Sequence, residues 1–293
     1  MPDNRIQAAL REAAQAHRVR EKVLVVRDLT TGWGLIRNLV QTGTPVANLR
    51  PVTLRELALE LAQPALTESG LEPAGPVASL LLIDDLLSET LPGNPLGLYL
   101  GQTPHTPGLA GVLLRAVHDL RMAGLTVDTL DLTAFETLTK AEAIRDLMTR
   151  YEHGLSARGL TDSAGLYRTA LDRLSAGPPH DDCLYLVPTG LFERKGLDQE
   201  FLLALTHGRT IPLTGDEPGT QPESTSTFHA AGTYNEVRET VRRVLGGAHP
   251  FDHVEIVVTD YGTYAPAIRD VLAGLAIPGT FVGGLSIAGT TPG

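Results

Sequence analysis

The stretch Lys22-Val-Leu-Val-Val-Arg27, running on through Asp28-Leu-Thr-Thr-Gly-Trp-Gly-Leu-Ile-Arg-Asn-Leu-Val40, decides the fold. Its first part is a short, apolar, β-branched run, the pattern of a parallel strand buried on both faces. Its second part repeats apolar residues at helical spacing, Trp33, Leu35, Ile36, Leu39 and Val40, and ends before Gly43. Strand, loop and helix in that order open a βαβ unit. A second short strand is expected just before Thr53, where Thr53-Leu-Arg-Glu56 has capping-box spacing. Upstream, Ile6, Ala9, Leu10, Ala13 and Ala16 recur at helical spacing within residues 4–17.

Outward from this unit the pattern changes. From Thr53 to about Ser175 the spacing predicts helices and no strand: one bent near Pro64, one after Pro76, and a long one from Pro107 to Ala123. The box Thr139-Lys-Ala-Glu142 is expected to open a further helix through Tyr151 to Ala157, and Asp162 to cap the next. Strands and helices then alternate: strand Leu184–Val187, helix Leu197–Thr206, strand Thr210–Leu213, and a Gly/Pro/Ser/Thr-rich loop. Beyond it come strand Thr227–Ala230, a helix capped by Thr233 running to Leu245, strand Val254–Thr259, helix Tyr264–Leu275 and strand Gly279–Val282. Right-handed crossovers imply a mainly parallel sheet. The expected division is residues 1–52 as the first part of an α/β domain, 53–178 as a helical insertion and 179–293 as the domain's remainder. The glycine-rich end, Gly283–Gly293, suggests a chain cut short there.

Composition excludes several chemistries. Cys183 is the only cysteine, which leaves no material for a disulfide framework, a zinc ribbon or a four-cysteine iron–sulfur cluster. No secretory leader is readable and no window approaches the roughly 20 apolar residues of a membrane span, so a cytoplasmic protein is expected. The formal charge of −10 argues against a protein that coats DNA by itself, although a local basic groove remains open. The only lysines are Lys22, Lys140 and Lys195, and none stands where a phosphate-binding loop needs one.

Other constellations are weak. Gly32-Trp33-Gly34 lacks the third glycine of a dinucleotide fingerprint, and its plainer reading is a helix entrance with Trp33 packed on the core. His180, Asp181, Asp182 and Cys183 are adjacent rather than spaced for one-sided metal coordination and read as a solvated turn. Asp216-Glu217 follows a strand and could hold magnesium. Glu193-Arg194-Lys195 has the acid-x-lysine spacing of a nuclease core but sits in a loop. Gly284-Leu-Ser-Ile-Ala-Gly289 is too long for a nucleophile elbow at Ser286. Arg238, Arg242 and Arg243 form one stripe, read as a solvated face interleaved with Glu236 and Glu239.

The order of segments resembles the N-terminal half of AddB-type helicase–nuclease subunits, of the RecB family among the UvrD-like helicases. The likeness is carried by Val23–Asp28, by Val52–Ala58, and by Pro107-Gly-Leu-Ala110 running on to Asp119-Leu-Arg-Met-Ala-Gly-Leu125. It continues through Lys140 to Tyr151-Glu152, Gly159-Leu-Thr-Asp162, Tyr234-Asn-Glu236-Val-Arg238, Asp252–Val258, Ala276-Ile-Pro278 and Gly283-Gly284. Three features of active relatives are missing together: a phosphate loop before the first matched strand, an Asp-Glu after the strand ending at Val187, and an arginine closing motif IV, where Thr259-Asp260-Tyr261 stands.

The resemblance implies a RecA-like, mainly parallel α/β sheet with a large all-helical insertion. It implies an inactive helicase module in DNA double-strand-break processing, without ATPase or nuclease activity in residues 1–293. No cofactor is expected in the chain; any iron–sulfur ligands and nuclease core of the parent would lie beyond residue 293. The implied partners are single-stranded DNA and an AddA-like motor subunit, with no membrane. The implied DNA contacts are Arg27, Thr30, Thr31 and Arg37, in the loop and helix after the first strand. A metal-dependent hydrolase using Asp216, Glu217 or the Glu193/Lys195 pair, and a protein-interaction scaffold without DNA binding, are the alternatives.

Overall fold

The computed structural model describes residues 5–101, 103–177, 183–193, 195–207, 209–213, 225–247, 250–251, 254–281 and 283–285. The chain divides into two compact units, Met1–Glu217 and Pro218–Gly293. The first begins with α1 (Arg5–Ala16), β1 (Lys22–Val26), α2 (Leu29–Gln41), β2 (Leu49–Thr53), α3 (Leu54–Glu68), β3 (Glu72–Pro73), α4 (Pro76–Ser88), α5 (Pro95–Leu100) and α6 (Pro107–Met122). It continues with α7 (Leu138–Ala157), β4 (Leu160–Thr161), α8 (Ser163–Ser175), β5 (Leu184–Pro188), α9 (Leu197–Thr206) and β6 (Thr210–Leu213). The second unit contains α10 (Thr233–Gly246) and α11 (Tyr261–Gly274).

Four strands form an all-parallel sheet in the order β2-β1-β5-β6. In register, Leu24 faces Pro51 on one side and Leu186 on the other. All five residues of β1 are buried because both faces of the sheet are covered. Alternation along the strand sorts them. Val23 and Val25, with Val52, Tyr185 and Val187, meet Leu57, Ala58, Leu166, Phe201 and Leu205 of α3, α8 and α9. Leu24, Val26, Leu186 and Leu213 meet Leu10 and Ala13 of α1 and Ile36 and Leu39 of α2. The mixed α/β architecture with a parallel sheet and a long helical interruption is therefore present.

Residues 53–178 play two parts. Helices α3 and α8, the first and last of the interruption, lie on the sheet, whereas α4 to α7 close over a separate core that includes Leu82, Ile83, Leu96, Val117, Leu147 and Met148. Two features were not expected. The two-residue strands β3 and β4 pair in parallel, with the Glu72 amide donating to the Gly159 carbonyl at 2.8 Å. Strands this short leave no period to read. Helix α5 is capped by Asn94 and has Pro95 in its first turn, a composition that reads as loop until the cap geometry is seen. Thr53 and Glu56 do form the capping box, and Asp162 does cap α8, accepting from the Gly165 amide. The cap of α7 is Thr137 rather than Thr139, and that of α10 is Gly232 rather than Thr233.

In the second unit α10 and α11 pack through Val237, Val241, Ala267 and Ile268, with Ile256, Val258, Ile277 and Phe281 against them. The strands expected at Thr227–Ala230, Val254–Thr259 and Gly279–Val282 are corrected: no described residue of these segments joins a ladder, and Val282 lies outside the described residues. The periodicity itself is real at Val254–Thr259, where half-buried Val254, Ile256 and Val258 alternate with exposed Glu255, Val257 and Thr259. An alternating face fixes which side chains turn inward. It does not supply the neighbouring strand that a ladder requires. Among the described residues no helix is long and apolar enough to cross a membrane.

Candidate nucleic-acid interface

Open parallel sheets bind ligands at the carboxyl ends of their strands, where the strand order reverses. Here the chain proceeds from β1 outward to β2, and later from β5 outward to β6 in the opposite direction, so the reversal lies between β1 and β5. The β1 carboxyl end delivers Arg27, Asp28 and the first turn of α2; the β5 end delivers Thr189 and Gly190. Arg27, Thr30 and Thr31 thus border the place in the sheet where topology opens a crevice, whereas Arg37 lies about two turns along α2.

Their surroundings separate them. Asp28 caps α2: the Thr31 amide donates to Oδ1 at 2.8 Å and the Thr31 hydroxyl to Oδ2 at 2.8 Å. The Thr31 amide first, then its hydroxyl and the Thr30 amide, hold the Asp28 carboxyl below its ordinary value. A carboxylate therefore already fills the position that a phosphate takes at an open helix N-terminus. Thr31 is committed to Asp28. Thr30 and Arg37 are exposed, seven positions apart on α2, and share a stripe with Trp33 between them. Arg27 and Arg37 are both exposed, with no ion pair or hydrogen bond among the described residues.

Trp33 corrects the expectation of a core tryptophan, because it is 53% exposed. Gly32, Ile36 and Leu39 form the inward stripe of α2, and Trp33 stands about 100° round the helix from Gly32. Gly32 is the member of Gly32-Trp33-Gly34 that the fold needs. A Cβ there would lie 2.5 Å from Pro51 Cβ and 3.2 Å from Val26 Cγ1, so the first turn of α2 can settle on the sheet only without a side chain. The outer stripe is then an aromatic ring flanked by a hydroxyl and a free guanidinium.

The remaining candidates disperse. Lys22 is fully buried at the opposite end of β1, its ammonium donating to the carbonyls of His17 at 2.5 Å and Arg20 at 2.6 Å. Lys140 pairs with Glu136 at 3.2 Å. Glu193 and Lys195 are exposed in the turn before α9, while Arg194 lies outside the described residues. His180, Asp181, Asp182, Asp216, Glu217 and Ser286 also lie outside them. Cys183 is buried, and burial pushes its thiol pKa up. Arg242 and Arg243 both donate to Glu239, at 2.6 and 2.7 Å, and hold its pKa down to about 2. Among the described residues no three His, Cys, Asp or Glu side chains are grouped to hold a metal ion.

Spacing did not reveal one further cluster. Arg121 on α6, 5% exposed, donates from Nε to Asp162 Oδ2 at 2.7 Å and from Nη2 to Oδ1 at 3.1 Å, and from Nη1 to Glu152. Its guanidinium lies 5.8 Å from the centre of the Tyr151 ring. Burial alone pushes the Asp162 carboxyl up, but the hydrogen bonds and charge of Arg121, with the Gly165 amide, outweigh it and hold the group below its ordinary value. The segments Asp119–Leu125, Tyr151-Glu152 and Gly159–Asp162, which carry part of the resemblance, thus meet in one clamp joining α6, α7 and α8, buried at Arg121 and Asp162 and half-buried at Glu152. The clamp is a reason of fold, rather than of catalysis, for those residues. No protein-family model matches the chain, and no curated protein matches it, so the functional reading rests on these geometries and on the residue pattern.

Proposed function

We propose that the chain is a catalytically silent, RecA-like module of a cytoplasmic, AddB-like helicase–nuclease that processes DNA double-strand breaks. In this reading it guides single-stranded DNA across the carboxyl edge of its sheet and docks an AddA-like motor subunit. The observation that carries the reading is the outer stripe of α2, where exposed Trp33 lies between Thr30 and Arg37 on the helix that leaves the β1 side of the reversal, with Arg27 at the strand end. A ring on which bases stack, flanked by cations that follow the backbone, suits single-stranded DNA without sequence preference. Asp28 supports a role that does not use a nucleotide, because its carboxylate occupies the helix terminus that would receive a phosphate. Exposed Val77 and Leu81, one turn apart on α4, and Val112 on α6 supply apolar surface on the insertion for a partner.

Fluorescence anisotropy with a labelled single-stranded oligonucleotide tests the DNA arm. Binding at low ionic strength that weakens linearly in log–log form with added salt is expected. Arg27→Ala and Arg37→Ala should each lower the slope by about 1. No binding at low ionic strength, with or without the motor subunit, removes DNA contact and leaves a pure interaction scaffold.

A further inference from the structure

Beside the Arg121 clamp lies a cavity of about 530 Å³ between α3, α4, α6, α7 and α8. Its volume is in the range of small-molecule sites. Arg55, Arg115 and His118 line it, all three exposed, and neither arginine has an ion pair or hydrogen bond among the described residues. Asp162 is the one carboxylate in the lining, and the Nε–Nη2 edge of the Arg121 guanidinium and the Gly165 amide already hold it. The charge left facing the cavity is therefore positive, in a chain whose formal net charge is −10.

Donors converge on the same space. Ser79 and Tyr151, 8% and 2% exposed, both line the cavity. Each hydroxyl carries a proton that it can donate to an anion. Pro76 and Ser79 bring the N-terminal turn of α4, whose N-cap Gly75 provides no side-chain cap, whereas the α8 start at Ser163 is already filled by the Asp162 carboxylate. Helix N-termini favour anions. Two free, planar guanidinium forks, two buried hydroxyls and an uncapped helix start around one cavity suit the several acceptor oxygens of a tetrahedral phosphate group.

We propose that this cavity binds a phosphate group, held between Arg55 and Arg115 with the Ser79 and Tyr151 hydroxyls at its wall. The site is separate from the α2 stripe and does not depend on the DNA reading. The probe is pyrophosphate, titrated at constant ionic strength and followed by thermal unfolding and ³¹P line broadening. A melting midpoint that rises with the logarithm of pyrophosphate concentration is expected. In Arg55→Ala/Arg115→Ala the apparent affinity should fall by about tenfold or more, whereas Arg173→Ala, at an exposed position of α8 outside the cavity lining, should leave it unchanged. Both cavity arginines are exposed, so the double variant should fold; if its midpoint is lowered, Arg115→Lys, which keeps the charge and loses the fork, is the second test and should also weaken binding. Competition by a single-stranded oligonucleotide would assign the phosphate to a nucleic-acid backbone, and indifference to the oligonucleotide would assign it to a free phosphorylated small molecule. No response to millimolar pyrophosphate, or an equal response in the double variant and in Arg115→Lys, overturns the proposal.

Discussion

Arg121 joins residues 31 and 41 positions away in the chain, Glu152 and Asp162, so no local period could have revealed the clamp. Each partner was visible in the sequence only as part of a separate segment; the fold makes them one group. With Arg121 removed, Asp162 would remain buried without its counter-charge, and Arg121→Ala is expected to lower stability by about 3–5 kcal/mol, read from urea unfolding. Replacing Arg121 and Asp162 together with apolar residues should recover part of that loss. The pH dependence has a defined sign. The Asp162 pKa lies below its ordinary value of 3.8, so on acidification the unfolded chain takes up the proton first. The stability it contributes is complete above about pH 4 and is lost as pH falls through the folded-state value. Melting midpoints measured at low pH should therefore fall more steeply in the wild type than in an Arg121→Met/Asp162→Leu variant. Trp33 illustrates the other limit of residue-level reading: its place one position along from the inward stripe decides its exposure, and that stripe is set by Gly32 fitting against Pro51.

At the scale of elements, what was legible was what is local. Strand β1 announces itself by its unbroken apolar run, α3 by its capping box and α8 by Asp162. The helix starts at Thr137 and Gly232 differ from their expected caps by one or two residues: two threonines, Thr137 and Thr139, compete at the start of α7, and α10 begins after a glycine that offers no capping side chain. The strands of the second unit failed for another reason: pairing is non-local, and an alternating face at Val254–Thr259 exists without a ladder. Amides of Glu255–Thr259 should accordingly exchange with solvent deuterium far faster than those of β1, and protection equal to that of β1 would contradict the absence of a ladder. Gly32→Ala should destabilise by about 1–3 kcal/mol through overpacking of α2 on the sheet, measured by the shift in denaturation midpoint. Thr53→Ala should cost about 1 kcal/mol through loss of the cap.

At the scale of the molecule, two compact units and a four-stranded parallel sheet emerge from a sequence that specifies strand identity better than strand order. The order β2-β1-β5-β6 rests on contacts across the helical interruption, and only that order identifies the reversal beside Arg27. On an acidic chain, exposed Arg27 and Arg37 and the exposed ring of Trp33 are the features on which the proposed DNA-guiding surface rests. Trp33 is the only tryptophan in the chain, so intrinsic tryptophan fluorescence reports on this position alone. Titration with a single-stranded oligonucleotide of about 16 nucleotides at low ionic strength should quench that emission, and added salt should restore it. Emission unchanged at saturating oligonucleotide and low salt would contradict a stacking surface on α2.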